Sequence, residues 1–304
     1  MELRPGSAAG GPLGQGAREV KQLPLPSWFS AGVILLTAAT LSWLERRRDL
    51  RARVAPQGSR AVRNLVIAGV GAVALQLAER PVISRVARLV ERRRWGLLQR
   101  LPLPVWLSTV AAVVLLDYTL YLWHVLAHRS PLLWRAHAVH HIDRDLDVST
   151  GIRFHFAELM ASVPWRAGQV VVIGVTPAAL SVWQLFLLVC VLFHHSNVEI
   201  PVRLERWISR IIVTPRMHGI HHSRAADEMN SNWSSGLTIW DRLHGTLKLN
   251  VPQQSVTIGV AGYDGEDDVR LPAMLSLPFA SHPVDRHDTE GRSVPGVRSD
   301  VLLP

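Results

Sequence analysis

Long apolar segments with almost no charge are the feature that most constrains how this chain can fold. The first, Trp28–Leu44, has about the length of roughly 17–25 residues that crosses a hydrocarbon core. Two more run from Asn64 to Ala78 and from about Pro104 to Trp123, directly into the first histidines. Hydrophobic residues make up 48% of the chain. The pattern predicts an all-α, integral-membrane helical bundle with about four membrane segments.

The last apolar segment, Gln169–Phe193, is interrupted by Thr176 and Pro177. Its hydropathy alone fits either one tilted crossing or a hairpin. Histidine clusters lie both before and after it, and they can share one site only if the chain returns to the side that it left. The sequence therefore predicts a hairpin broken near Pro177, with legs that are short for full membrane spans.

Arginine carries most of the positive charge. The formal net charge is +9, and the arginines cluster beside apolar segments, which favours anionic lipid head groups over nucleic acid. The basic loop through Arg63 is expected in the cytoplasm by the positive-inside tendency. Residues 81–98 combine apolar positions at helical spacing with several arginines, so this segment is expected to lie in the membrane interface.

The composition along the chain predicts three segments. Residues 1–27 are predicted to be a flexible N-terminal segment, residues 28–250 a single membrane domain, and residues 251–304 a partly disordered tail. The single cysteine, Cys190, lies inside an apolar segment and gives no sign of an oxidised disulfide framework.

Most of the fourteen histidines fall into four short groups. His124 and His128 are four residues apart, so on a helix they share one face. H-A-V-H-H at 137–141 and H-G-I-H-H at 218–222 share a second spacing, and the pair at 194–195 ends the last apolar segment. Imidazole binds Fe, Zn, Cu and Ni, and ionisable groups at a membrane margin default to a functional role. The pattern predicts a metal site.

Eight histidines in three of these motifs exceed what one ion uses, since an ion takes four to six ligands. Two metals are therefore predicted. The zinc-protease motif H-E-x-x-H is absent between His124 and His128, and no G-x-S-x-G element indicates a serine hydrolase. A zinc-dependent membrane hydrolase and a non-catalytic metal-binding membrane protein are the alternatives to an oxygenase.

The order of these elements resembles the sterol desaturase/fatty acid hydroxylase superfamily. H-x-x-x-H, H-x-x-H-H, a membrane hairpin, H-S-N and a second H-x-x-H-H follow one another from about Asp117 to Thr246, together with R-F-H at 153–155 and W-D-R at 240–242. The resemblance implies a di-iron centre on the cytoplasmic side of a short helical bundle. It also implies the use of dioxygen and two external electrons to attack a C–H bond of a lipid.

Carried over to this sequence, the resemblance implies nine metal ligands. His195 is preferred to His194 because it directly precedes Ser196 and Asn197, and His155 is expected to support a ligand in preference to being one. The implied ligands are His124, His128, His137, His140, His141, His195, His218, His221 and His222.

Several polar residues are expected beside these ligands. Asp117 lies two helical turns before His124 on the same face, suited to accept a ring N–H. Arg153 and Glu158 are expected either to pair with each other or to hold the ligand loops. His244 is expected not to be a ligand. The remaining supporting positions or additional ligands are His155, His194, Asn197 and Asn232.

The expected reaction is hydroxylation of a lipid C–H bond, with desaturation as the other outcome. The expected cofactor is a pair of iron ions, which zinc could replace by misloading. The expected partners are a lipid from the bilayer and a separate electron-transfer protein or reductase, without nucleic acid. High Arg, Ala and Trp usage suggests a bacterial inner membrane.

Overall fold

The computed structural model describes residues 23–280, and these residues form helices without extended strands. The all-α prediction is therefore confirmed. The predicted flexible segment 1–27 lies mostly outside the described residues, and so does the end of the predicted tail, 281–304.

Twelve α-helices are described, numbered here along the chain. A π-helical turn, Leu75–Glu79, joins α2 to α3, so that the two form one continuous helix. The helices are α1 (Ser27–Glu45), α2 (Gln57–Ala74), α3 (Arg80–Arg93), α4 (Val105–Arg129), α5 (Pro131–His141), α6 (Phe156–Ile173), α7 (Pro177–His195), α8 (Val202–Ile208), α9 (Pro215–His221), α10 (Ala226–Met229), α11 (Ile239–Leu243) and α12 (Leu271–Ser276).

Four described helices are long and apolar enough to cross a membrane. They are α1, the continuous helix that contains α2 and α3, α4 and α7. Large apolar side chains on α1 face outward, including Leu35 and Leu36, each 69% exposed. Such a surface fits contact with lipid, because a soluble helix exposes few contiguous apolar groups. The predicted number of membrane segments is confirmed.

Together with α6, these long helices alternate in direction along the chain, and all of them have one end at the histidines. At the far end, Leu25 N–H donates to Ser181 Oγ at 2.9 Å, which places the start of α1 beside the start of α7. At the histidine end, Asn197 N–H donates to Glu45 Oε1 at 2.7 Å, which places the end of α1 beside the end of α7. A cap made of α5, α8 to α12 and their loops covers this end.

The predicted hairpin is confirmed, because Gly174 ends α6 and Thr176 caps α7. Gly174 has φ +86°, and a Cβ there would lie 2.9 Å from the carbonyl oxygen of Trp95. The prediction of short legs is wrong. The two legs have 18 and 19 residues, since α6 begins at Phe156. The polar groups of α6 face the inside of the protein. They lower the mean hydropathy of this helix, so the sequence did not show its full length as an apolar segment.

The basic segment 81–98 is helical through Arg93, but it is not a separate helix. It continues α2, with Ile83, Ala87 and Val90 buried against α6 and α4. Arg85 and Arg88 are exposed on the other face. This packing forms the core of the bundle at the far end and fixes α2 to α6 along their lengths.

Residues after 250 pack on the cap. Gln253 contacts Arg51, and Met274 is fully buried beside Trp134 and Ile67. The described part of the C-terminal segment therefore completes the wall around the histidines.

Candidate metal centre

All nine histidines that the sequence predicted as ligands come together at the histidine end of the bundle. They form two groups, and within each group the candidate ligand atoms lie within 4.8 Å of one another. The five-histidine group contains His124, His128, His137, His141 and His221; the four-histidine group contains His140, His195, His218 and His222. All nine residues are buried.

The two H-x-x-H-H motifs exchange histidines between the groups. The motif on α5 gives its first and last histidine to the five-histidine group and its middle one, His140, to the other. The motif at α9 does the opposite, giving only its middle one, His221, to the five-histidine group. Residues i and i+4 share a helix face while i+3 is displaced around it, so two such helices facing each other build two adjacent sites.

Oxygen acceptors fix the orientation of four rings. His124 Nδ1 lies 2.7 Å from the Trp233 carbonyl oxygen, and His221 Nδ1 lies 2.9 Å from that of Ser231. His195 Nδ1 lies 2.8 Å from the Val191 carbonyl oxygen, and His137 Nδ1 lies 2.9 Å from Glu158 Oε1. These oxygens can only accept, so each Nδ1 carries the proton and each Nε2 keeps its lone pair for the interior.

The Nε2 atoms of the four-histidine group converge. His195 Nε2 lies 3.0 Å from both His140 Nε2 and His218 Nε2, and His222 Nε2 lies 3.1 Å from His218 Nε2. Burial places the pKa of His140, His218 and His222 well below the ordinary value for histidine. In the five-histidine group, burial likewise lowers the pKa of His221 to about 3. The rings are therefore neutral and can donate lone pairs.

The donors fit two metal ions. Nε2 of His128 and Nε2 of His221 are buried without a hydrogen-bond partner, and a shared cation would satisfy such groups. Neutral imidazoles suit iron, copper, nickel and zinc. The histidine clusters can thus bind metal, with five nitrogen donors on one side and four on the other.

Glu158 and Arg153 hold the ligand segments, one of the two alternatives that the sequence left open. Glu158 orients His137, as described above. Arg153 Nε donates to the carbonyl oxygen of Val139 at 2.9 Å, inside α5 between two ligands. Arg153 also lies 3.5 Å from Asp143, which follows the histidine pair. Both residues act on the position of α5.

Sequence reasoning missed a buried ionic network that joins α2 to the segment after α5. Arg60 Nε donates to Asp143 Oδ1 at 2.8 Å, and Arg60 also pairs with Asp147. Asn64 Nδ2 donates to Asp143 Oδ2 at 3.0 Å. Burial raises the pKa of Asp143, but Arg153 and Arg60 outweigh it, and the net shift is downward. The acidic run D-R-D-L-D directly after the histidine pair was the available signal.

Asp117 does not hold His124, contrary to the prediction. Its Oδ2 accepts from Leu237 N–H at 2.9 Å and from Trp240 Nε1 at 2.7 Å. Gly236 makes this approach possible, since a Cβ there would lie 2.4 Å from Asp117 Oδ1. The returning chain near α11 occupies the position beside Asp117, so Asp117 anchors that segment and the Trp233 carbonyl orients His124.

The other predicted positions surround the groups. The His194 ring centre lies 4.0 Å from that of His218, but His194 belongs to neither group. His155 caps α6, accepting from Ala157 N–H at 3.0 Å. Asn197 bonds with the backbone of Arg51.

On the other side of the cap, Asn232 Nδ2 donates to the carbonyl oxygens of Met217 and Lys248. His244 lies outside both groups and stacks on Tyr121 with ring centres 4.9 Å apart.

A cavity of about 550 Å³ opens beside the histidines and extends between α2, α4, α6 and α7. Its volume lies within the range of roughly 300–1,000 Å³ that small-molecule sites have. Apolar side chains such as Leu120, Trp123 and Leu187 form most of its wall. Six histidines border it: His124, His137, His140, His194, His195 and His218.

Comparison with known proteins gives one family match. Residues 109–246, from α4 to just past α11, match the fatty acid hydroxylase family. The chain is similar to this family over these residues. The matched residues include every histidine of the two groups. No solved structure matches the chain significantly.

Three known hydroxylases and monooxygenases are similar to part of this chain. An ornithine lipid hydroxylase from Rhizobium tropici is 34% identical over 183 residues, which are 58% of this chain and 52% of the relative. The alkylglycerol monooxygenase of Homo sapiens is 27% identical over 47% of this chain and 30% of its own length. The cholesterol 25-hydroxylase of Mus musculus is 25% identical over 45% of each chain. The matches thus span about half of these relatives, or less.

Proposed function

We propose that this protein is a membrane-bound di-iron oxygenase that uses dioxygen and external electrons to hydroxylate a C–H bond of a lipid. The observation that carries the proposal is the position of two buried histidine groups beside one apolar cavity, which five of their nine histidines border. The nine histidines would hold two iron ions, five on one ion and four on the other. The match to the fatty acid hydroxylase family supports this assignment, because the named relatives are hydroxylases and monooxygenases of lipids.

A bound pair of iron ions supplies oxygen activation and one-electron chemistry that side chains lack. The residues of the chain supply position and environment. Carbonyl oxygens and Glu158 hold the rings so that each Nε2 faces inward, and Phe154 stacks on His140 with ring centres 4.5 Å apart. Trp123, Trp183 and the leucines of the cavity exclude water from the lipid chain, which protects the reaction from side products.

The cavity favours an extended alkyl or isoprenoid chain, because its wall is mostly apolar and borders the histidines along one side. The names of the relatives specify ornithine lipid, alkylglycerol and cholesterol as substrates of those proteins. A lipid substrate taken from the bilayer is their shared chemistry. All three names also describe oxygen insertion, which supports hydroxylation over desaturation here.

The electrons require a separate donor protein or reductase, because the proposed iron pair needs two electrons per turnover. We assign the histidine end to the cytoplasmic side, in a bacterial inner membrane. The arginine-rich loop after α1 supports this side, since it packs against the cap: Leu50 N–H donates to the Asn197 carbonyl oxygen at 2.8 Å. That loop also offers a basic surface to an acidic donor.

The deciding experiment measures metal content and oxygen uptake on the purified protein from iron-replete cells. We expect about two irons per chain, oxygen uptake after addition of a chemical reductant, and a hydroxylated product from a membrane lipid extract. A matched zinc-loaded sample should consume no oxygen. Zinc alone, with no oxygen uptake after iron reconstitution, would overturn the proposal and favour a zinc-dependent hydrolase.

A further inference from the structure

A charged pair interrupts the apolar wall of the cavity. Glu79, at the end of the π turn, and Arg166, on α6, both line it. Glu79 is only 7% exposed. Ionisable groups inside a membrane bundle are costly and mark functional positions, and π turns are frequent at such positions.

The pair leaves one acceptor without a partner. Arg166 Nη1 donates to Glu79 Oε1 at 3.3 Å, and Arg166 Nε donates to Ser162 Oγ at 3.2 Å. Glu79 Oε2 is buried without a hydrogen bond. A buried carboxylate oxygen without a donor is costly, so this atom is a binding position for a ligand donor.

The pair lies at a defined distance from the metal centre. Glu158, Ser162 and Arg166 follow one another on the cavity face of α6 at helical spacing. Glu158 contacts His137, and eight residues of helix separate it from Arg166, or about 12 Å along the axis. Histidines and, about two helical turns away, the charged pair therefore line the same cavity.

We propose that Glu79 and Arg166 form a polar subsite that receives a lipid group with an adjacent hydrogen-bond donor and acceptor, such as a secondary or primary amide. This inference rests on the proposed function only in taking the cavity as the substrate site. Glu79 Oε2 accepts from the N–H of the ligand, and the Arg166 guanidinium donates to its carbonyl oxygen. The subsite sets which polar group a substrate carries at this distance from the reacting carbon.

The charge of the pair determines what it rejects. Glu79 and Arg166 neutralise each other, so a neutral amide adds no uncompensated charge. A free carboxylate would face Glu79 and leave Oε2 without a donor. An ester offers an acceptor but no donor. The expected order of affinity is therefore amide, then ester, then carboxylate.

The test compares three probes with the same chain: tetradecanamide, methyl tetradecanoate and tetradecanoate. Binding is measured as the rise of the thermal unfolding midpoint with probe concentration in detergent-purified, metal-loaded protein. In the unaltered protein we expect the amide to bind about tenfold more tightly than the ester, the effect of one buried hydrogen bond. Glu79→Gln should reverse the selection, because Arg166 then lacks a counter-charge and prefers tetradecanoate.

Two controls separate recognition from fold stability. Gln76→Ala alters the exposed face of the same π turn and should keep the original order of probes. The double variant Glu79→Gln, Arg166→Gln should lose the preference for tetradecanoate that Glu79→Gln gains. If Glu79→Gln does not fold, Arg166→Gln must still prefer amide over ester, since Glu79 Oε2 remains.

An unchanged order of probes in Glu79→Gln would overturn the subsite, and so would equal binding of all three probes to the unaltered protein. This assay needs no turnover, so either result would leave the oxygenase proposal intact. Conversely, failure of oxygen uptake would leave the binding order unaffected.

A second inference concerns an exposed apolar surface on the cap. We infer that it lies in the head-group region of an anionic bilayer. The surface, called here the α8–α11 surface, has five large exposed side chains: Leu204, Trp207, Ile211, Ile239 and Leu243. Four exposed arginines surround them: Arg203, Arg206, Arg210 and Arg242.

The position of α11 supports contact with lipid. Trp240 and Leu237 bond to Asp117, which lies seven residues before His124, or about 10 Å along α4 toward the far end. The chain near α11 thus runs beside the membrane helix α4 below the metal centre. Ile208 of α8 likewise packs in the cluster that contains Leu41 of α1.

The charges on this surface have one sign. Within 200–213 and 237–245 the acidic residues are Glu205 and Asp241, and both are buried. Arg210 lies 4.3 Å over the Trp207 ring. Tryptophan and arginine side by side on a short amphipathic helix match an interface with anionic head groups.

Spin-label accessibility tests this contact. In a Cys190→Ser background, Trp207→Cys carries a spin label in nanodiscs containing anionic phosphatidylglycerol. We expect high collision with oxygen and low collision with a water-soluble nickel chelate. Asp227→Cys, at another exposed position of the cap, should show the opposite. Nickel accessibility at position 207 would overturn the inference, and protection from both reagents would assign the surface to a protein partner instead.

Discussion

The nine histidines are unequal because their two groups differ in size. His140 belongs to the four-donor group and His221 to the five-donor group. Removing one donor leaves three nitrogens in the first case and four in the second, and four neutral imidazoles still complete a tetrahedral set. Loss of a ligand therefore has different consequences at the two positions.

We expect His140→Ala to lose close to one metal ion per chain and His221→Ala to lose less, with oxygen uptake reduced in both. Metal content measured by inductively coupled plasma mass spectrometry after desalting checks this order. His244→Ala is the matched control, because His244 stacks on tyrosines outside both groups. Equal metal loss in all three variants would contradict the two-group arrangement.

Glu158 is the only carboxylate that contacts a candidate ligand among the hydrogen bonds described here. Replacing it by Gln keeps the size of the side chain but removes the negative charge that orients and polarises the His137 ring. We expect metal affinity to fall about tenfold or more, measured by competition with a chelator. Glu266→Gln, at an exposed site, should leave the affinity unchanged.

The gathering of nine histidines into one place was predictable from sequence, since regular spacing on helices brings ring nitrogens together. The partners of Asp117 were not predictable, because they lie near α11, more than a hundred residues later in the chain. Distant contacts of this kind depend on loop paths, which leave no periodic signal.

Among the helices, α2 is tied to the metal centre by charge. Arg60 pairs with Asp143 and Asp147, and Asn64 bonds to Asp143, so α2 fixes the segment that follows the α5 histidines. This network joins a membrane helix to the cap through buried groups. Removal of the Arg60 cation leaves the buried Asp147 without a counter-charge and leaves Asp143 with Arg153 alone.

We therefore expect Arg60→Gln to destabilise the protein by about 3–5 kcal/mol. The thermal unfolding midpoint of the purified protein, with and without metal, measures the loss. Arg85→Gln changes an exposed arginine on the same continuous helix and should shift the midpoint little. A midpoint for Arg60→Gln equal to that of Arg85→Gln would show that the network contributes no stability.

The loop after α1 and the loop after α3 lie at opposite ends of the bundle, and this gives a test of orientation. In cells that express the protein with Cys190→Ser, the further variant Arg48→Cys at the histidine end should react with a membrane-impermeant maleimide only after the membrane is opened. Leu101 lies at the far end and is 43% exposed, so Leu101→Cys should react with the maleimide in intact spheroplasts. The reverse pattern would place the histidines outside the cytoplasm.

At the scale of the whole molecule, sequence predicted an all-helical bundle, four membrane segments and a hairpin between histidine clusters. These followed from hydropathy and from the need to bring separate clusters together. The length of α6 and the continuity of α2 with α3 were not predictable in the same way. Their charged residues, Glu79 and Arg166 among them, face a cavity, and a hydropathy average cannot distinguish an inward charge from one in water.

The exchange of histidines between α5 and α9 also affects how the protein is made. The five-histidine group has four donors as soon as α4 and α5 are in place, whereas the four-histidine group has only His140 until α7 and the α9 motif join it. A ribosome releases α9 only after the α6–α7 hairpin has been synthesised. The second metal position can therefore be completed only after the hairpin, so that a chain stalled before α9 cannot hold a pair of ions.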